Sequence, residues 1–238
     1  MKNIKKIKNL VLGILYPKTC CFCGRLCEKE ICDECLSKVE YIKEPRCKKC
    51  GKPVRYEEQE YCLDCRKRKF YYEQGRSIWL HKTPVSDSIY RFKYHNRRIY
   101  GEFYAKELYR LYGDMIRRWN IDLIVPVPLH WKRKRKRGYN QAEIVAKYLG
   151  TLANIPVDSK FVKRVQYTEP QKRLDCNERR KNLKNVFAVK KEMKKGKNVL
   201  LIDDIYTTGS TIDEISRQIC EKGRNKVWFL TISIGQDF

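Results

Sequence analysis

Long apolar runs are missing from these 238 residues. No segment approaches the ~20 apolar residues that a membrane-spanning helix needs. The basic start, MKNIKKIKNLVLGILYPKTCC, carries only the short apolar stretch Leu10–Tyr16, and no small-residue cleavage site follows it, so it does not read as an export signal. Ile4, Ile7, Val11 and Ile14–Leu15 recur at helical spacing, the pattern of an amphipathic turn packed on the body. A membrane-surface role stays open for that turn, and the chain reads as cytoplasmic. The glycine-rich phosphate motifs G-x-x-x-x-G-K-[ST] and G-x-G-x-x-G are also absent, which sets aside P-loop and dinucleotide-binding sites. Histidine is scarce: His81, His95 and His130 are scattered, and they single out no general base. Acidic residues are in short supply, 28 against 53 Lys and Arg, for a net charge of +25. An excess that large implies an anionic partner or substrate but says nothing about fold. Residues 1–75 carry +7 and residues 128–197 carry +15, so the excess is concentrated in one stretch. A solvated lysine face is the plain alternative for that stretch.

Cysteine is abundant instead. Ten of the twelve lie between Cys20 and Cys65, where four C-x-x-C knuckles stand in a row. Each knuckle presents two thiolates, and two knuckles complete a closed tetrahedral Cys₄ zinc site. The spacing predicts two sequential zinc ribbons, the first from Cys20, Cys23, Cys32 and Cys35. The second uses Cys47, Cys50, Cys62 and Cys65, and a cross-braced pairing is the alternative. Disulfides need an oxidising compartment, and a redox site uses one knuckle rather than four. With all positions filled by protein, both zinc sites read as structural. Cys21 and Cys27 are spares, Cys176 is isolated, and Cys220 falls on the apolar side of an expected helix.

The remainder alternates strands and helices. Arg76–His81 reads as a strand, and Val85–Tyr94 and Ile99–Trp119 read as helices. Ile121–Val127 is a buried strand ended by prolines, Tyr139–Leu152 an amphipathic helix and Asn198–Asp203 a second buried strand. Helix Ser210–Lys222 and strand Lys226–Ile234 follow. Such alternation predicts an α/β fold with a mostly parallel sheet and helices on both faces.

The segment VLLIDDIYTTGST, residues 199–211, concentrates the chemistry. Its apolar strand places Asp203 and Asp204 at the carboxyl end, where open α/β sheets take ligands. Thr207, Thr208, Ser210 and Thr211 then supply hydroxyls around Gly209, which is able to adopt a positive φ before the helix. Backbone N–H groups at a helix start suit a phosphate monoester. Carboxylates repel a second phosphate but accept hydrogen bonds from sugar hydroxyls. Phosphate beside vicinal hydroxyls describes a ribose 5-phosphate; an ordinary capped strand–turn–helix is the alternative.

These residues resemble the phosphoribosyl-pyrophosphate (PRPP) signature of type I phosphoribosyltransferases. More narrowly, the chain resembles the competence protein F (ComF) family. IVPVPLHWKRKRKRGYNQA (124–142) matches that family's VPVPL…RGFNQA segment, with Tyr139 where Phe is commoner. FKYHNRR (92–98) is similar to its LKYRGD-type element, although His95–Asn96 replaces the usual small or acidic pair. RVQYTEPQ…RRKNLKNVF (164–187) resembles its R…T..Q…R..N…F stretch, and the double ribbon fits as well.

The resemblance implies a type I phosphoribosyltransferase fold over residues 71–238, behind an apolar turn and double zinc ribbon over residues 1–70. It implies that Asp203 and Asp204 hold the ribose, directly or through Mg²⁺, and that Tyr206, Thr207, Thr208, Gly209, Ser210 and Thr211 hold the 5′-phosphate. Pro128 and Leu129 fall where the pyrophosphate loop is expected, and Arg133 and Arg137 are candidates for pyrophosphate or nucleic-acid phosphate. Lys132, Lys134, Arg135 and Lys136 read as added basic surface. His130 adjoins the expected pyrophosphate loop. Two functions follow. One is PRPP binding coupled to single-stranded DNA handling in natural competence, beside DNA-uptake machinery at the inner membrane face. The other is transfer of ribose 5-phosphate to a nitrogen nucleophile.

Overall fold

The computed structural model describes residues 18–166, 186–189, 196–223 and 225–235. The expected apolar turn before residue 18, Cys176 and most of the 164–187 motif lie outside the described residues.

The chain enters through two cysteine-rich loops. Each ends in a short helix that follows a cysteine, α1 at Asp33–Lys38 and α2 at Leu63–Lys67. Then come β1 (Gln74–Leu80), α3 (Val85–Tyr94), α4 (Tyr100–Arg118), β2 (Leu123–Pro126), α5 (Trp131–Arg137) and α6 (Gln141–Ala153). The strands β3 (Val162–Arg164), β4 (Phe187–Val189) and β5 (Asn198–Tyr206) follow, with α7 (Ser210–Glu221) and β6 (Lys226–Ile234) last. The main sheet runs β1-β6-β5-β2, and every pairing in it is parallel. β3 and β4 form a separate antiparallel pair that the residue pattern did not announce. Three residues are too few to show an alternation.

Parallel strands buried on both faces read as continuous apolar runs, and VLLI and KVWFLTISI obey that rule. Side chains alternate between faces along a strand. Leu200 and Ile202 therefore enter one core with residues of α3, α4 and α6, including Ile89, Phe103, Tyr104, Leu108 and Leu149. Val199 and Leu201 enter the other, with Ile212, Ile215 and Ile219 of α7 and with Phe187 and Val189 of β4. Helices thus cover both faces, as expected.

The two ribbons are built into these cores. Phe22, fully buried, meets Trp79 edge-on at 5.3 Å and Phe103 at 5.9 Å, so the first ribbon is seated on β1 and α4. Truncating such an aromatic costs about 3–5 kcal/mol. Cys47, Cys50, Cys62, Phe70 and Tyr72 join the opposite core.

Most element boundaries lie within two or three residues of expectation, and two differences bear on the site. The strand read as Asn198–Asp203 continues through Asp204 and Ile205 to Tyr206, with Ile205 opposite Ser233 and Tyr206 opposite Ile234. The run WKRKRKR, read as basic surface between a strand and a helix, is itself a helix. Lys and Arg have good helix propensity. The His130 side chain caps its start by accepting from the Lys132 amide, and Gly138 ends it in the left-handed conformation at φ 78°. Cations in its last turn suit the negative end of the helix.

Candidate functional site

The two cysteine groups are the most local feature. Cys20, Cys23, Cys32 and Cys35 bring their Sγ atoms within 4.8 Å of one another, and so do Cys47, Cys50, Cys62 and Cys65. A tetrahedral zinc with Zn–S near 2.3 Å needs S···S separations of about 3.8 Å. Cys23–Cys32 at 3.7 Å and Cys50–Cys62 at 3.6 Å match it. The pairing is sequential, not cross-braced. Backbone amides of Phe22 and Cys32 donate to Cys20 Sγ at 3.4 and 3.3 Å, as suits a thiolate ligand. Cys21 is outside the group; burial beside the Cys20 charge pushes its thiol up to about 12. Cys27 is outside it too. Cys220 donates from its thiol to the Tyr71 carbonyl at 3.6 Å, and burial raises it to about 11.

The second feature lies at the carboxyl ends of the strands. The regular alternation of β5 breaks at Asp203 and Asp204: Ile205 packs with the core of Leu200 and Ile202, and Tyr206 with the opposite one. Asp204 pairs with Lys93 of α3, Nζ to Oδ2 at 2.9 Å. Asp203 accepts from the Asp204 amide at 2.8 Å. Burial and the neighbouring Asp204 charge raise its pKa to about 7, against the pull of that amide, Lys93 and Arg164. The two neighbouring acids thus have different surroundings. One is neutralised by a lysine, and the other is hard to ionise without a partner.

Beyond β5 the chain turns through Thr207–Gly209 into α7. Gly209 has φ +74°, and a Cβ there would sit 2.4 Å from the Tyr206 hydroxyl. Thr208 and Ser210, both buried, share a hydroxyl hydrogen bond at 2.9 Å. Thr207 is exposed and Thr211 half-buried. The Tyr206 side chain lies beneath the turn rather than in it. The ring is buried, stacked on Phe229 at 4.8 Å, with its hydroxyl 2.8 Å from that of Tyr72. It lies directly against the turn at Gly209.

The expected pyrophosphate turn follows β2 on the neighbouring strand. Val127 donates its amide to the Ile202 carbonyl at 2.9 Å, and its own carbonyl accepts from Asn140 Nδ2 at 3.0 Å. Pro128 and Leu129 are half-buried, and His130 is buried as the α5 cap. Burial, with Arg164, Lys132 and Arg133 nearby, holds the His130 pKa below its usual value. Arg133 is half-buried on α5. Arg137 donates to Gln141 Oε1 and to the Tyr94 hydroxyl, each at 3.0 Å, and lies over the Tyr94 ring. Lys134 reaches Glu143 at 3.4 Å, whereas Lys132, Arg135 and Lys136 are exposed.

Two residues at this edge were missed by sequence reasoning. Lys93 lies inside FKYHNRR, so the motif was visible but not its contact. His81 bonds Ser233 through Nδ1 at 3.0 Å, and burial with Lys93 nearby lowers its pKa. Nothing local to His81 marks it. A groove of about 600 Å³ runs along α6, and Arg98, Lys134, Tyr139, Lys147 and Tyr148 are among its lining residues. Arg98 lies over the Tyr139 ring at 4.8 Å.

Residues 11–66 match the double zinc ribbon domain family. Among curated proteins the chain is 39% identical over 149 residues to competence protein F of Haemophilus influenzae, covering 60% of this chain and 65% of that protein. It is 35% identical over 111 residues to DNA utilization protein YhgH of Escherichia coli K12, covering 46% and 48%. It is 27% identical over 157 residues to competence protein ComFC of Bacillus subtilis, covering 63% and 60%. The matches thus span less than two thirds of each relative's length. A solved UMP synthase of Leishmania donovani aligns over 58% of this chain and 22% of that one, at 19% identity and a TM-score of 0.34, too low to carry an argument. Among the described residues no helix is long and apolar enough to cross a membrane.

Proposed function

We propose, from the similarity to competence protein F and ComFC and the double zinc ribbon, that this chain binds PRPP and handles single-stranded DNA in natural competence. The turn after β5 carries the PRPP reading. Gly209 in the left-handed region and the hydroxyls of Thr208 and Ser210 stand at the start of a twelve-residue helix, with two acids immediately before. Thr207–Thr211 hold the 5′-phosphate through N–H groups, hydroxyls and the positive end of α7. Asp203 and Asp204 offer the hard oxygen donors that ribose hydroxyls or Mg²⁺ take. When bound with PRPP, Mg²⁺ supplies charge neutralisation at the pyrophosphate. Lys93 orients the Asp204 carboxylate, and Pro128, Leu129 and Arg133 border the pyrophosphate side.

Support for the DNA reading comes from charge beside exposed aromatics. Lys134 of α5 lines the α6 groove, and Tyr90, Tyr94, Trp131 and Tyr148 are exposed. Single-stranded DNA binds such surfaces by phosphate attraction and base stacking. The relatives' names, competence protein and DNA utilization protein, agree with this role.

Active transfer of ribose 5-phosphate to a nitrogen nucleophile is the second reading. The intact set of two acids and four hydroxyls favours it, and pyrophosphate release from PRPP with candidate amines and bases tests it. For the first reading, isothermal titration with PRPP–Mg²⁺ and with an oligonucleotide, separately and together, is decisive. Both are expected to bind, and Asp203→Asn with Asp204→Asn abolishes the PRPP heat alone. Absence of heat at millimolar PRPP refutes the pocket; absence of oligonucleotide binding refutes DNA handling.

A further inference from the structure

Residues 66–73 join the last zinc ligand, Cys65, to β1 and pass beside the turn after β5. Three contacts tie this joint to three parts of that turn. The Tyr72 hydroxyl meets the Tyr206 hydroxyl at 2.8 Å, at the strand end. The Arg68 guanidinium donates to the Thr208 carbonyl, in the turn itself. The Tyr71 amide donates to Asp213 Oδ1 at 2.8 Å, in the first turn of α7. Arg68 is held in turn by the Phe70 ring, 4.1 Å from its Cζ, and its Nε is buried without a partner.

The first residues of β1, next to the joint, are gripped from the other knuckle of the second ribbon. The Gly75 amide donates to the Lys49 carbonyl at 2.8 Å, and Gln74 Nε2 to the Lys48 carbonyl at 2.7 Å. Lys49 Nζ lies 5.3 Å from the Tyr72 ring centre. Both halves of the Cys47, Cys50, Cys62, Cys65 site therefore hold the segment that touches the turn, one directly and the other through Tyr72 and the first residues of β1.

The contact at Thr208 has a particular consequence. The Thr208–Gly209 peptide is trans, so its C=O and the Gly209 N–H share one plane and point in opposite directions. Drawing the carbonyl towards Arg68 turns the Gly209 N–H the other way. A phosphate cradle depends on the direction of such N–H groups. A donor to a carbonyl on the far side of that plane therefore governs a ligand it need not touch.

The structure assigns to the second zinc ribbon the setting of the phosphate turn, with Arg68 as the positioning residue. Zinc fixes Cys62 and Cys65, α2 leads from them to Arg68, and Arg68 orients the Thr208–Gly209 peptide. Loss of that zinc reaches the turn, whereas loss of the first zinc reaches the β1–α4 side. This deepens the PRPP reading and rests on it only for the identity of the ligand.

The test uses the full zinc-loaded chain and the variants Arg68→Ala and Arg68→Lys. Amide hydrogen exchange over residues 207–211 is read beside zinc content and PRPP–Mg²⁺ titration. Arg68→Ala is expected to speed exchange in the turn about tenfold and weaken PRPP about tenfold, from loss of one charged hydrogen bond. Zinc content and exchange in β6 stay unchanged, and Arg68→Lys restores most of both effects. Cys65→Ser, which opens the second site, reproduces the loosened turn; Cys35→Ser, which opens the first, does not. Unchanged exchange in Arg68→Ala overturns the inference, as do equal effects of the two cysteine variants. If a cysteine variant does not fold, the Arg68 pair decides alone. If wild type binds no PRPP, the ligand reading fails while the exchange result still decides the coupling.

Discussion

Replacing Gly209 with alanine probes both the backbone of the turn and the ring beneath it. At φ +74° an L side chain costs about 1–2 kcal/mol relative to glycine. The added Cβ would also lie 2.4 Å from the Tyr206 hydroxyl and 2.8 Å from its Cζ. That ring has little room to yield, since it is stacked on Phe229 at 4.8 Å and hydrogen-bonded to Tyr72 at 2.8 Å. Overpacking of this kind costs about 1–3 kcal/mol. The two effects predict a loss of about 2–5 kcal/mol, read from urea unfolding of the zinc-loaded chain. Tyr206→Phe supplies the control. By itself it leaves the buried Tyr72 hydroxyl without its partner, at about 1–3 kcal/mol. In the double variant the nearest clashing atom is gone, so the combined loss falls short of the sum of the single losses. A Gly209→Ala loss below about 0.5 kcal/mol, within the range of ordinary surface changes, refutes the packing argument. Strict additivity refutes the contact with Tyr206.

Zinc analysis of the purified chain is expected to give two ions, and Cys35→Ser to leave one; a single ion in wild type contradicts the two Cys₄ groups. Lys93→Met removes the partner of a mostly buried carboxylate and is expected to cost about 1–3 kcal/mol in urea unfolding, below the full penalty of a wholly buried pair. An unchanged midpoint argues that the pair is idle. Single-stranded DNA affinity is expected to fall steeply with salt. Arg135→Gln with Lys136→Gln is expected to lower the log–log slope by about 1.4, at about 0.7 for each phosphate no longer neutralised. An unchanged slope places the DNA elsewhere. Asp122 accepts from the Asn198 amide at 2.9 Å and from Lys197 Nζ at 2.7 Å, which holds its pKa below the usual carboxylate value. This stabilisation is present above the unfolded-state pKa and lost as pH falls through the folded one. Acid also strips thiolate-bound zinc, so Asp122→Asn at neutral pH is the cleaner measurement, with an expected loss of about 1–3 kcal/mol.

Much of this molecule is local in origin and therefore legible in its residues. The C-x-x-C spacing determined two four-cysteine sites, because each knuckle is complete within four residues and only the pairing of knuckles needs the fold. The apolar runs VLLI and KVWFLTISI determined buried parallel strands, and the glycine before Ser210 marked a turn that only a left-handed residue enters. Tertiary structure decided what those pieces do to one another. Adjacency marked Asp203 and Asp204, but only folding brought a lysine 111 positions away to pair with Asp204. The strand ran on to Tyr206 and drew its ring into the core. Arg137, selected by motif, met the Tyr94 hydroxyl, a partner the motif does not show, and Arg68, which no motif marks, reached the Thr208 carbonyl from the second ribbon. Spacing along a chain fixes groups that bind one ion or one turn together, whereas the direction of a charged side chain depends on neighbours that only folding brings near.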